Sequence, residues 1–347
     1  IYGFTFGGPI QKDKLFFFTD FEGTKTRTGG PTNASVAPQA WRNGDLNIFP
    51  QNITDPTTGQ LFPGKQIPQS RFSPVARTLF GNPALYPLPN QQGVGPLAVT
   101  NNYGSSFRNT LNNDQGDIKI DWRPNDKDAF SGRYSRGFYE NFGSQAALPT
   151  SMTGGQEGPT QSVVLNWNRT ISPTIVNEAR VAYSRIGILD RAIDWSGQLG
   201  ADGNQRFGIP GGQAIAGLSA IGIGGGLTGL GSTGVTSTTY DNKFIYYDNL
   251  TWQKGKHLLK FGGQFIRYQQ NRYYSGNNGV LGVFRYSGDY TGLDFADFLT
   301  DNLRSKGRGA LTGAWGHRFW RSALFVQDDY KLASNFTLNI GLRWEYM

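Results

Sequence analysis

Three aspartates, Asp294, Asp297 and Asp301, recur at a spacing that places them along one side of a short amphipathic helix whose apolar side is Phe295, Phe298 and Leu299. Grouped carboxylates are the material of a calcium site, but this spacing is not that of an EF-hand loop, and a charged helix face is ordinarily solvated. Asp328 and Asp329 are neighbours in a strand-like segment, so they point to opposite faces and do not form a paired general acid and base. His257 and His317 have no second metal ligand or triad partner nearby in sequence. Gly224, Gly226 and Gly229 spell the glycine pattern of a dinucleotide turn, yet no helix is predicted to follow, and the next carboxylate, Asp241, opens a strand. The chain has no cysteine, which removes disulfides, thiolate metal sites and cysteine nucleophiles. These residues assign no catalytic group, no metal ligand and no cofactor; the expectation is a protein that is not an enzyme, with its ligand-binding residues unknown.

The elements that would position such groups are strands. Gly numbers 48 among 347 residues and aromatics make up 14%, while charged residues, at 17%, fall below the roughly 25% of an average soluble domain. The formal charge of +8 is spread singly rather than gathered into a patch, which argues against nucleic acid. No run approaches the ~18 apolar residues of a membrane helix, but strands of a membrane barrel carry only a weak alternating signal. That signal is plain at the end of the chain. Phe336, Leu338, Ile340, Leu342, Trp344 and Tyr346 alternate with Thr337, Asn339, Gly341, Arg343 and Glu345.

The same hairpin unit recurs. Tyr2, Phe4 and Phe6 share a face before the turn at 11–14, and 15–25 follows as a second strand, its alternation blurred by Phe16 and Phe18. Asp117, Lys119 and Asp121 alternate with Ile118, Ile120 and Trp122, turn at 123–126, and continue as Phe130, Gly132, Tyr134 and Phe138 against Ser131, Arg133 and Ser135. Further units turn at 171–173, 254–256 and 333–335, giving about ten strands. Between hairpins lie long loops, about 27–112, 141–160, 187–239 and 270–318, alternating with the short turns. Tight turns on one edge and elaborate loops on the other fit an antiparallel up-and-down outer-membrane barrel, and Trp122, Trp167 and Trp252 near the short turns fit its aromatic belt. A tryptophan-filled soluble β-sandwich is the alternative for the same aromatics. In the first loop, 74–80 is predicted to be a helix capped by Ser73 and stopped by Gly81, with an extended run after Tyr86. That loop reads either as a ligand-contacting lid or as a surface crossing. Its cations, Arg42, Lys65, Arg71, Arg77 and Arg108, outnumber Asp45 and Asp55, a lean towards an anionic ligand.

Several stretches resemble the barrel region of Oar-type TonB-dependent outer-membrane receptors. They are Phe6-Gly7-Gly8-Pro9-Ile10 with Lys12-Asp13-Lys14-Leu15-Phe16-Phe17-Phe18, Ile67-Pro68-Gln69-Ser70-Arg71-Phe72-Ser73-Pro74, Leu293-Asp294-Phe295-Ala296-Asp297-Phe298-Leu299, and Phe325-Val326-Gln327-Asp328-Asp329-Tyr330 with the closing strand. The resemblance implies a barrel of about 22 strands around a plug, seated in the outer membrane of a Gram-negative-type bacterium. It implies partners in outer-membrane lipid, an extracellular ligand (siderophore, glycan or peptide) and the TonB complex. Residues 1–347 then read as a partial barrel domain, a fragment lacking the plug and the N-terminal regulatory-like domain, with coupling to TonB only through an upstream region. A secreted or surface β-sandwich adhesin or carbohydrate-binding protein is the alternative.

Overall fold

Alternating apolar and polar side chains make a strand with two faces, and ten such strands build the molecule. The computed structural model describes residues 1–144, 147–310 and 313–347. β1 (Tyr2–Gln11), β2 (Leu15–Ala34), β3 (Tyr103–Trp122), β4 (Asp128–Ser144), β5 (Thr153–Ser172), β6 (Ile175–Ile193), β8 (Ser237–Lys254), β9 (His257–Tyr274), β12 (Trp315–Ala333) and β13 (Phe336–Tyr346) pair in sequence order as one antiparallel sheet, with β1 and β13 at its edges. Three short strands, β7 (Ala220–Gly222), β10 (Val283–Arg285) and β11 (Ser305–Gly307), form a separate small sheet in the long connections. Short helices α1 (Gln39–Arg42), α2 (Pro74–Phe80), α3 (Gly203–Arg206) and α4 (Asp294–Thr300) lie there too. No described helix is long and apolar enough to cross a membrane.

Register carries each face across the whole sheet. Asp117 pairs with Ser135, Ser135 with Ser162 and Ser162 with Ser184, while Ile118 pairs with Tyr134, Tyr134 with Val163 and Val163 with Tyr183. Cross-strand ion pairs join the polar face: Arg133 Nη2 lies 2.6 Å from Asp117 Oδ2, and Lys260 Nζ 3.9 Å from Asp329 Oδ2. The apolar face is bare, with Ile118 and Leu165 each 55% exposed and Val181 50%. Each such side chain gains about 1.5–3 kcal/mol on leaving water, and no second sheet of the described residues covers them. That removes the β-sandwich alternative, because a sandwich buries this face; lipid is the medium that does so here.

The aromatic belt takes its place at the short turns. Trp122, Phe130 and Trp167 are in register on β3, β4 and β5, with ring centroids 5.3 and 6.0 Å apart and the latter pair nearly parallel at 2°. Trp252 follows on the same face, beside the two-residue turn at Gly255 and Lys256, where Gly255 supplies the positive φ of 59° that such a turn demands. Rings that are apolar at one end and polar at the other sit at the edge of the hydrocarbon.

The strands outrun the alternation. A 19-residue strand such as β6 or β12 is about 60 Å long and rises about 40 Å at a ~45° tilt, against an apolar band of about 25 Å. The upper part of the wall therefore has water on both sides, and β2, β3, β6, β8, β9 and β12 all continue into segments that the sequence assigns to loops. The connections proper are 35–102, 145–152, 194–236 and 275–314, shorter than the expected 27–112, 141–160, 187–239 and 270–318. Above the membrane both faces are polar, so hydropathy stops marking the strand although backbone pairing persists.

The two faces of β5 provide a test. Leu165→Arg, seven residues from the turn at Ser172, should destabilise the sheet in lipid vesicles by about 2–4 kcal/mol, read by urea unfolding. Ser162→Arg, which faces Ser135 and Ser184 across the polar side, should change stability by less than about 1 kcal/mol.

Candidate functional site

Loops of this length lose too much conformational entropy to be held by their ends alone. Here they share a core. Apart from Ala34, the last residue of β2, every member of the buried apolar cluster comes from the long connections. The first contributes Trp41, Phe49 and Tyr86, the second Leu148, the third Phe207 and Leu218, and the fourth Phe295 and Phe298. Trp41 meets Phe49 at 4.6 Å and Phe295 at 5.4 Å between ring centroids, and Phe80 meets Tyr86 at 5.8 Å and Phe298 at 6.2 Å. Backbone bonds tie the same segments: Thr54 N–H donates to Thr291 O (2.9 Å), Ser73 N–H to Leu299 O (2.6 Å), Thr228 N–H to Ser35 O (2.9 Å) and Gly231 N–H to Thr150 O (2.7 Å). β10 bridges the third and fourth connections by pairing with β7 in parallel and β11 in antiparallel. The result is a folded cap over the loop edge of the wall.

Helix α2 spans Pro74–Phe80 as its sequence predicts, with Ser73 Oγ accepting from Ala76 N–H at 3.0 Å and Gly81 at the C-cap. Of the three aspartates at α4, Asp301 at its C-cap is exposed as a solvated face would have it, Asp294 is half-buried, and Asp297 departs from that expectation. Asp297 is fully buried, and its Oδ1 accepts from the N–H and the hydroxyl of Thr291, each at 2.8 Å. Asp294 accepts from Gly225 N–H (3.0 Å) and Phe295 N–H (2.7 Å), and Asp301 from the Tyr286 hydroxyl (3.0 Å). The carboxylates are three separate clamps rather than one cluster. Apart from the adjacent Phe295 N–H, their donors lie outside the helix, at Tyr286 and Thr291, or, for Gly225, on another loop, which helix periodicity does not reveal. Burial, with the Asp301 charge adding to it, keeps the Tyr286 phenol well above its ordinary value.

Gly224, Gly225 and Gly226 all have positive φ, and a Cβ at Gly224 would stand 2.6 Å from Asp294 Cγ. Gly224 and Gly225 thus serve a close approach to α4, whereas Gly226 borders open space and Gly229 meets Ile221 O. His257 finds a partner through the β9–β12 register: its Nδ1 lies 2.7 Å from Asp328 Oδ2 and its ring stacks on Tyr330 at 4.2 Å. His317 sits at the other end of the same strand pair, beside Trp315. Asp329 faces the opposite side and accepts from Gln327. Among the described residues no three potential metal ligands come together.

The cations of the first loop divide by use. Arg71 donates to both oxygens of Asp55, at 2.6 and 2.8 Å, while Thr57 adds its N–H (2.9 Å) and hydroxyl (2.6 Å). The Arg71 bonds first, then those of Thr57, hold the Asp55 carboxyl well below the usual carboxylate range. Lys65 Nζ donates to Phe49 O at 2.6 Å. Arg42 is buried between the Phe80 and Tyr86 rings, 5.8 and 4.8 Å from their centroids. It donates to Ala37 O and Tyr86 O, each at 2.8 Å, and to Pro87 O. Desolvation lowers its pKa, although a guanidinium remains charged. Burial also pushes the Tyr86 phenol up to about 12, partly countered by the Ala37 N–H that its oxygen accepts. Arg77, on the exposed side of α2, makes no such bond among the described residues. Arg42 and Arg77 line one cleft of about 530 Å³ with Gln39, Gln69, Phe72 and Phe80.

A family model for an outer membrane beta barrel domain matches residues 1–347. The chain belongs to that family. It is therefore an outer-membrane protein, its apolar face turned to lipid and its cap on the long-loop edge. Among solved structures it resembles the outer membrane transporter YddB from Escherichia coli, with a TM-score of 0.52 at 9% identity over 99% of this chain and 33% of that one. The barrel-family chain thus spans about a third of that transporter's length, and the likeness is one of fold. Lower TM-scores of 0.39 and 0.38 relate it to the copper transporter OprC (12% identity, 99% and 35% covered) and to the ferric-catecholate import receptor Fiu of E. coli K12 (10% identity, 99% and 53% covered). Likenesses at that level carry no argument. No curated protein matches the sequence.

Two outcomes follow for the cap. Asp297→Ala leaves the Thr291 N–H buried without an acceptor, while the Thr291 hydroxyl keeps Leu293 O at 2.9 Å, so it should cost the cap about 1–3 kcal/mol, seen as faster hydrogen exchange and proteolysis of 275–314 while the wall stays protected. The depressed Asp55 pKa makes its clamp fully stabilising above the unfolded carboxylate value of about 4 and progressively lost as the pH falls through the lower folded value. Proteolysis of 35–102 should accelerate over that acid window in the native chain, and Asp55→Asn should remove this part of the pH dependence.

Proposed function

We propose that the chain is the wall and ligand-facing cap of an Oar-type, TonB-dependent receptor that binds a large extracellular ligand, a siderophore, glycan or peptide, and passes it through a plugged barrel. The observation that carries this reading is the one-sided build. Five hairpin turns close one edge of the wall, and four connections on the other fold together around their own core. A pore-forming barrel needs no such cap; a receptor that must recognise before it imports does. In this reading the plug and the contact with TonB belong to other parts of the protein, and the charged face of the wall is the side turned to the plug.

The reading is of transport and not of catalysis. It is supported by where the cap's carboxylates go: Asp55, Asp294, Asp297 and Asp301 each accept hydrogen bonds from the cap's own groups, an arrangement that holds loops together.

Uptake decides the matter. Cells bearing the full-length protein should import one of three labelled pools, ferric siderophores, oligosaccharides or oligopeptides. Import should vanish both without TonB and when 35–102 is replaced by a short turn, with the barrel still in the outer-membrane fraction. Import that persists without TonB, or a purified chain that stays soluble and folded without detergent, would sink the proposal.

A further inference from the structure

We propose that the cleft between α1 and α2 is an oxyanion site, in which Arg77 and Arg42 hold the carboxylate or phosphate of a small organic ligand. The proposal deepens the receptor reading and rests on it for its biological setting. Its physical basis is a buried cation without a counter-ion. Arg42 is 4% exposed, and its three protein acceptors are all backbone carbonyls. Carbonyl oxygens satisfy N–H groups but bring no negative charge, and a desolvated guanidinium without an anion is held at a cost that an anion relieves. Three of the five N–H groups of a guanidinium are used this way; the other two have no acceptor among the described residues.

The surroundings select for negative charge. No carboxylate lines the cleft, while the amides of Gln39 and Gln69 and the free guanidinium of Arg77 do. The other two cations of 35–102 are already engaged, Arg71 by Asp55 and Lys65 by the carbonyls of Phe49 and Pro50, and Arg108 stands in β3. Guanidinium groups match carboxylate and phosphate oxygens in a planar fork. Phe72 and Phe80 on the same walls suit a planar or apolar body attached to the anion, and about 530 Å³ lies within the range of small-ligand sites, roughly 300–1,000 Å³.

The test is a titration of the purified full-length protein in detergent with benzoate, inorganic phosphate and the neutral isostere benzamide. Benzoate and phosphate should bind saturably, with benzamide weaker than benzoate by about tenfold or more. Arg77→Gln removes an exposed side chain that makes no internal bond, so the fold persists; it should weaken benzoate by about tenfold and leave benzamide unchanged. Arg136→Gln, an exposed arginine of the wall, serves as the control for bulk charge and should bind as the native chain does. No saturable binding, equal benzoate affinity in the native and R77Q chains, benzamide binding as well as benzoate, or an equal loss in R136Q overturns the site. Import reads the receptor proposal and this titration reads the cleft, so a silent titration with import intact rejects the oxyanion site alone.

Discussion

A chain immersed in hydrocarbon must pair its backbone N–H and C=O groups within itself, because no water is there to take them. In this protein the constraint sets nearly everything else. Ten strands in simple sequence order satisfy one another's ladders everywhere but at the outer edges of β1 and β13, and the antiparallel order lets turns as short as Gly255 and Lys256 close one side. Once five connections are used up as tight turns, the remaining four must all emerge at the opposite edge. The asymmetry of the molecule is thus a consequence of strand pairing, and the cap stands where it does because the chain has nowhere else to put long segments.

The cap solves a different problem by different means. It sits in water, so it is free to bury apolar groups in the ordinary way, and it does so across four connections that are far apart in sequence. Trp41 touching Phe295 closes a loop of more than 250 residues. Each such contact is entropically expensive when made alone. Made together, around one aromatic cluster, they share the cost of ordering. Polar clamps then fix the orientation: Asp55 with Arg71, Asp297 with Thr291, and Asn102, whose side chain both accepts from Val36 N–H and donates to Val36 O, at 2.7 and 2.8 Å. A surface held in this way is preorganised, which lowers the entropic penalty of binding.

Legibility in the sequence followed the solvent. Where lipid lies on one side and the polar interior on the other, as at 117–122 or 336–346, each residue declares its face and the strands can be read directly. Above the membrane the same strands have two wet faces, so Arg191, Gln270 or Asn141 look like loop residues although their backbones remain in the ladder. Local signals also survived: Ser73, Pro74 and Gly81 mark α2 because capping is decided within a few residues. The burial of Asp297 did not show, since periodicity places it on the charged side of α4 and only the fold of 290–293 over that helix encloses it. The cleft was half legible. The surplus of cations in the first loop is visible in the sequence, but which of them are neutralised depends on partners such as Asp55 and the Phe49 carbonyl, brought close by tertiary structure.

The fold likeness to a transporter at only 9% identity follows from the same physics. A lipid-facing position asks only for an apolar group and an inward one for a polar group, so the wall tolerates almost any substitution that keeps parity, and identity decays while architecture holds. The cap is under stricter terms. Its core is a jigsaw of named aromatics, and Arg42 and Arg71 use the planar fork of a guanidinium to reach several acceptors at once, a task for which lysine lacks the geometry. Recognition in such a protein therefore resides in the part whose residues are least exchangeable, and the wall supplies the rigid edge from which those residues are held.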